Sequence, residues 1–234
     1  MRYIATREGV EKLAGNSAVT KGQRELIQKL LYDFPDAVEL FEYEDYCRTP
    51  TLGTASAFIS MALDANLHEI DPESGYMQYI ATRPRVQKRG THGLFSSATA
   101  VDLASAISEL EAHEGNVWTI IYSLRREDAD RLEYDNADAW RTLLMENAPT
   151  LAKSMKISLE NFRWYAAFHD EGHHPHIHMM VWSDDPKEGF LTRDGIATMR
   201  SKLTNAIFRD EMQQIYERKD VALSLIHISE PTRH

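Results

Sequence analysis

The sequence is poor in cysteine, in positive charge and in long apolar runs, and each shortage excludes a class of protein. Its single cysteine, Cys47, excludes an internal disulfide and a zinc site built from cysteines. No apolar run approaches the roughly eighteen residues that suggest a membrane-spanning helix. The N-terminus is charged at Arg2, Arg7 and Glu8, where a signal peptide would carry an apolar core. We therefore expect a cytoplasmic protein with no membrane insertion.

Acidic residues outnumber basic ones by 36 to 26, which gives a net charge of −10 and argues against a protein that coats nucleic acid indiscriminately. The two signs are separated along the chain. Six acids and no base lie at 33–45, whereas four bases and no acid lie at 77–101. On charge alone both segments are interpreted as solvated surfaces, although an acidic total can hide a local basic strip.

Apolar residues at helical spacing alternate with β-branched and aromatic runs, which predicts an α/β (α+β) fold with a central antiparallel sheet flanked by helices. Helices are predicted at 21–34 and 56–67, and helical material is predicted at 125–158 with a break at Pro149. Two more helices are predicted to begin at caps, one at Asp102 and one at Asp194. Strands are predicted at 117–124, where the strand should be buried, and at 162–169 and 177–183. The short link DEGHHP makes the last two strands an antiparallel hairpin. A turn is predicted at 50–54.

A ten-residue segment occurs twice in the chain. YIATREGVEK at 3–12 and YIATRPRVQK at 79–88 are identical at seven positions. Two copies are too few for a solenoid, which needs at least about three stacked units. We interpret them as related strand-and-turn elements within one domain, or as a local duplication.

The last twelve residues, LSLIHISEPTRH at 223–234, follow a helical segment without a cap or a turn. They resemble the translated sequence of a common library-preparation adapter. We expect one domain at 1–222, incomplete at its C-terminus, followed by a non-native tail at 223–234. Truncation of the N-terminus as well is left open. A frayed native terminus is the alternative.

Five of the ten histidines lie between His169 and His178. Alternation along a strand places His176 and His178 on one face, and His169 ends the partner strand close enough to join them. Three converging imidazoles can bind a metal ion and leave positions open, as a catalytic metal requires. We therefore predict a metal site at these three residues, with Glu171 or Asp170 orienting His169. A polar hairpin with exposed histidines is the alternative.

The same segment carries a family resemblance. The segment resembles motif III of the HUH-superfamily relaxases, the nicking enzymes of plasmid and conjugative-element transfer. The resemblance lies in a histidine followed after six residues by histidine–hydrophobe–histidine and then by MMVW. Four segments are similar to the MobP/MobL class: RYIATR at 2–7, GTHGLFS at 90–96, SLRREDA at 123–129 and WYAAFHDEGHHPHIHMMVWS at 164–183. The resemblance covers 3–221 and implies an HUH-relaxase-like sheet and cleavage of one DNA strand at a transfer origin.

In that class a tyrosine oxygen attacks one phosphodiester of single-stranded or melted origin DNA, giving a 5′-phosphotyrosine and a free 3′-hydroxyl. The resemblance places the nucleophile at Tyr3, but only two residues precede it where relaxases usually have a strand. Tyr79, in the second copy of the repeat, and Tyr216, downstream of the histidines as in rolling-circle initiators, are the alternatives. Glu171 is assigned to the catalytic set through its predicted orienting role. The resemblance also implies a divalent ion, Mn, Mg or Zn, that polarises the scissile phosphate.

Basic residues near the motifs are predicted to contact the DNA backbone; they are Arg83, Arg85, Lys88, Arg89, Arg125 and Arg126. The resemblance implies accessory relaxosome and coupling proteins as partners. One rival interpretation is a nucleotide hydrolase or transferase of the histidine-triad kind, which the alternation of His174, His176 and His178 would fit. A cupin-like barrel is disfavoured by the many helices. A docking module of a mobile element, which binds DNA without cutting it, is the non-enzymatic alternative.

Overall fold

The computed structural model of the chain describes residues 15–66, 73–83, 85–172, 174–209, 211 and 213. Within that part of the chain, eight α-helices and four strands form the α+β fold that was predicted. The helices are α1 Lys21–Asp33, α2 Phe41–Arg48, α3 Leu52–Ala65, α4 Glu73–Thr82, α5 Leu103–Glu111, α6 Arg126–Arg131, α7 Ala137–Ser154 and α8 Arg193–Ile207. The strands are β1 Leu94–Phe95, β2 Trp118–Ser123, β3 Phe162–His169 and β4 His176–Ser183. Two short 3-10 helices span Pro35–Glu39 and Leu159–Asn161.

The four strands form one sheet in the order β1-β3-β4-β2, and every neighbouring pair is antiparallel. β3 and β4 form the predicted hairpin, in which His169 pairs with His176 at the connected end and Phe162 pairs with Ser183 at the other. The predicted bounds of β3 are confirmed, and β4 begins one residue earlier than predicted, at His176. The central position of both strands explains why β4 is buried along its whole length.

Side-chain alternation along the hairpin divides the core between the two faces of the sheet. On one face, α7 and α8 pack against residues that include Phe168, Ile177 and Met179. On the other face, α4 and α5 pack against residues that include Ala167 and Met180. Because side chains two residues apart share a face, all three candidate metal ligands lie on the side that α4 covers.

A third apolar cluster joins α1, α2 and α3 through residues such as Leu30, Phe58 and Ile59. Buried Gln23 ties α1 to α3, since its side-chain amide donates to the Leu52 carbonyl at 3.1 Å and to the Ser56 hydroxyl at 3.0 Å. These helices place acidic side chains from α2 and α3 beside the connected end of the hairpin.

Several local predictions were wrong. The predicted turn at 50–54 is the start of α3, because the Thr51 hydroxyl accepts from the Thr54 amide and caps the helix. Tyr79–Thr82 in the second copy of the repeat is the end of α4 rather than a strand. Pro149 lies inside a continuous α7, since both halves of that helix bury leucines against the sheet.

Two further predictions need correction. α8 is capped by Thr192, whose hydroxyl accepts from the Gly195 amide at 3.1 Å, and not by Asp194. β2 is half-buried rather than buried, because it is an edge strand. The first copy of the repeat and the tail at 223–234 lie outside the described residues, so the domain bounds stay predictions. Among the helices described, none combines the length and the apolar character needed to cross a membrane.

Candidate active site

The three histidines predicted as metal ligands come together at the connected end of the β3–β4 hairpin. His169 and His176 are paired across the strands, and their ring centroids lie 5.2 Å apart. The ring of His178 lies 4.7 Å from that of His169 and 5.0 Å from that of His176. All three side chains are fully buried, and one nitrogen from each lies within 4.8 Å of the others. The cluster is therefore compact enough for one ion to contact all three rings.

Two backbone carbonyls fix the tautomers of His169 and His176. Nε2 of His169 lies 2.9 Å from the Ile80 carbonyl oxygen, and Nδ1 of His176 lies 2.9 Å from the His174 carbonyl oxygen. A carbonyl can only accept, so both of these nitrogens carry the proton and the other nitrogen of each neutral ring holds a lone pair. Nδ1 of His169 and Nε2 of His176 are buried without a hydrogen-bond partner among the described residues. Such atoms are costly unless something satisfies them, and a divalent cation would do so.

The sequence explains why the Ile80 carbonyl is available. In a continuing helix this carbonyl would accept from the residue four positions along, which is Pro84 and has no N–H to donate. α4 ends at Thr82 and directs the carbonyl of Ile80 to His169 instead. Ile80 therefore takes the orienting position that was predicted for Glu171 or Asp170, and that prediction was wrong.

A tyrosine that no sequence motif marked completes the contacts to the histidines. The Tyr76 hydroxyl lies 2.8 Å from Nδ1 of His178, and the Tyr76 side chain is buried. Tyr76 and Ile80 are one turn apart on α4, so a single helix contacts two of the three rings. Interpreting the repeat as a strand hid this spacing.

The environment of His169 and His176 keeps both rings neutral. Burial, with the neighbouring His178 and Arg83 adding to it, lowers the pKa of His169 well below its ordinary value of 6.5. Burial and the positive charge of Arg83 lower the pKa of His176 to about 4. A metal ion binds the neutral imidazole, so both rings are in the ligating state at physiological pH.

Arg83 is the centre of a buried ionic network beside the histidines. Its side chain is only 6% exposed; it pairs with Asp64 of α3 and lies 3.2 Å from Glu171. Glu171 also pairs with Arg85, so its carboxylate serves two arginines. The Tyr79 hydroxyl donates to Asp64 at 3.1 Å. Arg83 therefore belongs to the interior and is a poor candidate for the DNA contact that was predicted for it.

α2 adds two acidic side chains on the same side of the molecule. Glu42 is 4% exposed, and its Oε1 has no hydrogen-bond partner among the described residues. Burial raises the pKa of Glu42 from 4.5 to about 7, and the negative charges of Asp45, Glu171 and Asp64 also raise it. Asp45 lies 2.8 Å from Nε2 of His174, which keeps that histidine outside the cluster of three.

The family model of the MobL relaxases matches residues 1–233 of the chain. The chain belongs to the MobL relaxases. Membership confirms the predicted family. It implies a DNA-nicking enzyme that binds single-stranded DNA, and it favours this interpretation over a nucleotide hydrolase of the histidine-triad kind. No curated protein and no solved structure matches the chain.

The remaining basic residues predicted to contact DNA are exposed or partly exposed in this MobL relaxase, and all but Lys88 have acidic partners. Arg89 pairs with Asp138 at 2.7 Å, and Arg125 lies 3.1 Å from Glu44. The other pairs are Arg85 with Glu171, Arg125 with Asp45, and Arg126 with Asp130 and Asp170. Lys88 is exposed and makes no ion pair with the described part of the chain. Arg126 also donates to the carbonyls of Glu171 and Gly172, which holds the hairpin loop.

The nucleophile of the relaxase stays a prediction. Tyr3 and Tyr216 lie outside the described residues. Tyr79 is half-buried on α4, where its hydroxyl is engaged by Asp64.

Proposed function

We propose that this MobL relaxase nicks one DNA strand at a transfer origin by tyrosine transesterification, with a divalent ion held by His169, His176 and His178. The observation that carries the proposal is the convergence of three buried imidazoles, two of which have lone pairs without a hydrogen-bond partner among the described residues. When bound, Mn, Mg or Zn would polarise the scissile phosphate and offset the charge that grows on it.

The surroundings of the histidines suit an anionic substrate. The rings of His169 and His176 are neutral, and the groups that contact the outer nitrogens of the three histidines are two carbonyls and a phenol, none of which is charged. A carboxylate in any of these positions would reduce the positive field that the site offers to a phosphate. These three contacts therefore add no negative charge of their own next to the ligands.

The chemical step is a transesterification, which consumes no water. The phenolic oxygen forms a bond to phosphorus, the bond from phosphorus to the 3′-oxygen breaks, and that oxygen gains the proton that the phenol loses. A free phenol has a pKa of about 10, so its proton must leave as attack proceeds. We assign the nucleophile to Tyr3, with Tyr79 and Tyr216 as alternatives. Attack by Tyr79 would require Asp64 to release its hydroxyl.

Backbone contacts with DNA are assigned to the exposed or partly exposed bases, namely Arg85, Lys88, Arg89, Arg125 and Arg126. Phosphates would replace the carboxylates that now pair with the arginines, so binding should weaken as salt concentration rises. Action in the cytoplasm, with accessory relaxosome and coupling proteins of a conjugative plasmid, is part of the same proposal.

A covalent-adduct assay tests the proposal. Labelled single-stranded oligonucleotides that tile the transfer region of the element carrying the gene are incubated with the protein and Mn²⁺, then separated on a denaturing gel. We expect a protein–DNA adduct that EDTA prevents and that His176→Ala abolishes. His113→Ala, which removes a histidine outside the cluster, should retain the adduct. Tyr3→Phe, Tyr79→Phe and Tyr216→Phe are tested singly, and only one should abolish it.

Other outcomes of this assay contradict the proposal. Binding of the oligonucleotides without an adduct at any metal concentration would favour the docking module. Hydrolysis of a dinucleoside polyphosphate that EDTA leaves unchanged would favour the histidine-triad chemistry.

A further inference from the structure

Helix α4 contacts the histidine cluster at two points, and the two contacts differ in chemistry. The Ile80 carbonyl can only accept, so it determines which nitrogen of His169 carries the proton. The Tyr76 hydroxyl, 2.8 Å from Nδ1 of His178, can either donate or accept. Among the three ring contacts, this one alone leaves the tautomer open, because the partner of His176 is also a carbonyl.

The direction of the Tyr76 contact decides whether His178 can serve as a ligand. If the hydroxyl donates to Nδ1, the proton of the neutral ring is on Nε2, and that nitrogen has no lone pair for an ion. If Nδ1 donates to the tyrosine oxygen, the lone pair is on Nε2, the second ring nitrogen, which is buried. Metal-ligating histidines commonly donate their outer N–H in this way.

We propose that Tyr76 is a positioning residue that accepts the Nδ1 proton of His178 and thereby presents Nε2 to a divalent ion. The inference rests on the metal site of the proposed function and assigns a role to a residue outside it. Tyr76 is 1% exposed, and a phenol, with an ordinary pKa of about 10, is neutral at physiological pH. Its hydroxyl contacts the ring nitrogen opposite Nε2, so Tyr76 orients a ligand and does not attack DNA.

A direct measurement of metal affinity tests this role. Mn²⁺ and Zn²⁺ titrations by calorimetry or chelator competition compare the wild-type protein with Tyr76→Phe, which removes the oxygen and keeps the ring. Loss of such an orienting partner typically weakens metal binding by about 10- to 100-fold, and we expect a loss in that range. Tyr165→Phe is the matched control, since it removes the hydroxyl of a tyrosine on the same face of the sheet that donates to Glu109 instead of contacting a histidine. The Co²⁺-substituted protein should also show an altered visible absorption spectrum in Tyr76→Phe only.

A second measurement needs no variant. Nitrogen-15 NMR of the histidine rings in the zinc-loaded wild-type protein should show a protonated Nδ1 and a metal-bound Nε2 for His178. A protonated Nε2, or equal metal affinity in Tyr76→Phe, Tyr165→Phe and wild type, overturns the role of Tyr76. Failure of the wild-type protein to bind either ion overturns both this role and the metal site. Metal binding that depends on Tyr76 without any DNA adduct refutes the proposed nicking and leaves the role of Tyr76 standing.

Discussion

Glu42→Gln should stabilise the protein above neutral pH and should change its stability little in mild acid. Glu42 is buried at the start of α2, and burial raises its pKa from 4.5 to about 7. A raised pKa means that the folded state holds the proton more tightly than the unfolded chain. The stability that this proton contributes is complete below pH 4.5 and is lost as the pH rises through about 7.

The size of the effect follows from the shift. At about 1.4 kcal/mol for each pH unit, a rise from 4.5 to about 7 corresponds to about 3 kcal/mol. Glutamine imitates the protonated acid and has no charge to bury, so the free energy of unfolding of the variant should exceed that of the wild type by up to this amount at pH 8. His169 and His176 titrate with the opposite sign, because their lowered pKa values make acid destabilising. Both proteins contain them, so their effect cancels in the difference.

Urea unfolding of both proteins at pH 5 and pH 8 measures this difference. Glu25→Gln, at an exposed glutamate of α1, is the matched control and should show no such change between the two pH values. A difference between wild type and Glu42→Gln that is the same at pH 5 and pH 8 would refute the reasoning. It would mean that Glu42 is ionised in the folded protein at both pH values.

Three further predictions concern the ionic network, α7 and the basic surface. Asp64→Asn removes one partner of the buried Arg83 and should lower the free energy of unfolding by about 3–5 kcal/mol in a urea titration; a loss as small as that of an exposed pair would contradict the buried network. Pro149→Ala, at an exposed position inside α7, should raise the free energy of unfolding by about 2 kcal/mol and with it the melting temperature. Proline in a helix interior costs about 3 kcal/mol, and part of that cost is offset because proline also restricts the unfolded chain. Lys88→Gln should reduce the salt dependence of single-stranded DNA binding by about 0.7 in the slope of log K against log salt, measured by fluorescence anisotropy, whereas Lys202→Gln on α8 should leave the slope unchanged.

The hairpin and its three histidines are predictable from the sequence because they depend on local rules. β-Branched and aromatic runs mark β3 and β4, and a period of two places His176 and His178 on one face. A short link between the strands brings His169 opposite His176, as the strand register shows. No knowledge of the other elements is needed for these steps.

The contacts that orient the histidines are not predictable in the same way. Tyr76 is 102 residues from His178 and Ile80 is 89 residues from His169. The apolar run at 79–82 is too short to distinguish a strand from the end of a helix by its spacing. Only the packing of α4 on the sheet brings these groups to the rings. The predicted partners, Glu171 and Asp170, are the acids nearest to His169 in sequence, but the group that contacts its ring is the Ile80 carbonyl.

Charge along the sequence also gave an incomplete picture of the surface. The four bases at 77–101 include Arg83, whose buried side chain pairs with Asp64, 19 residues away in sequence, and with Glu171, 88 residues away. The acids at 33–45 include Glu42, which is buried rather than solvated. A count of charges identifies their sign and position in the chain but not which of them the fold brings together.

The pairing of acids with bases around the histidines bears on how a relaxase avoids indiscriminate binding. Glu44 and Asp45 of the acidic segment pair with Arg125, and Asp170 pairs with Arg126, so these arginines present little unbalanced positive charge to solvent. With a net charge of −10, the molecule as a whole repels nucleic acid. A DNA strand can pair with these arginines only if its phosphates replace their carboxylates. The free energy gained in the new ion pairs is nearly offset by the free energy lost with the old ones, unless a further contact favours the exchange. The histidine cluster, with neutral ligands and a divalent ion bound, would supply that contact for the one phosphate that reaches it.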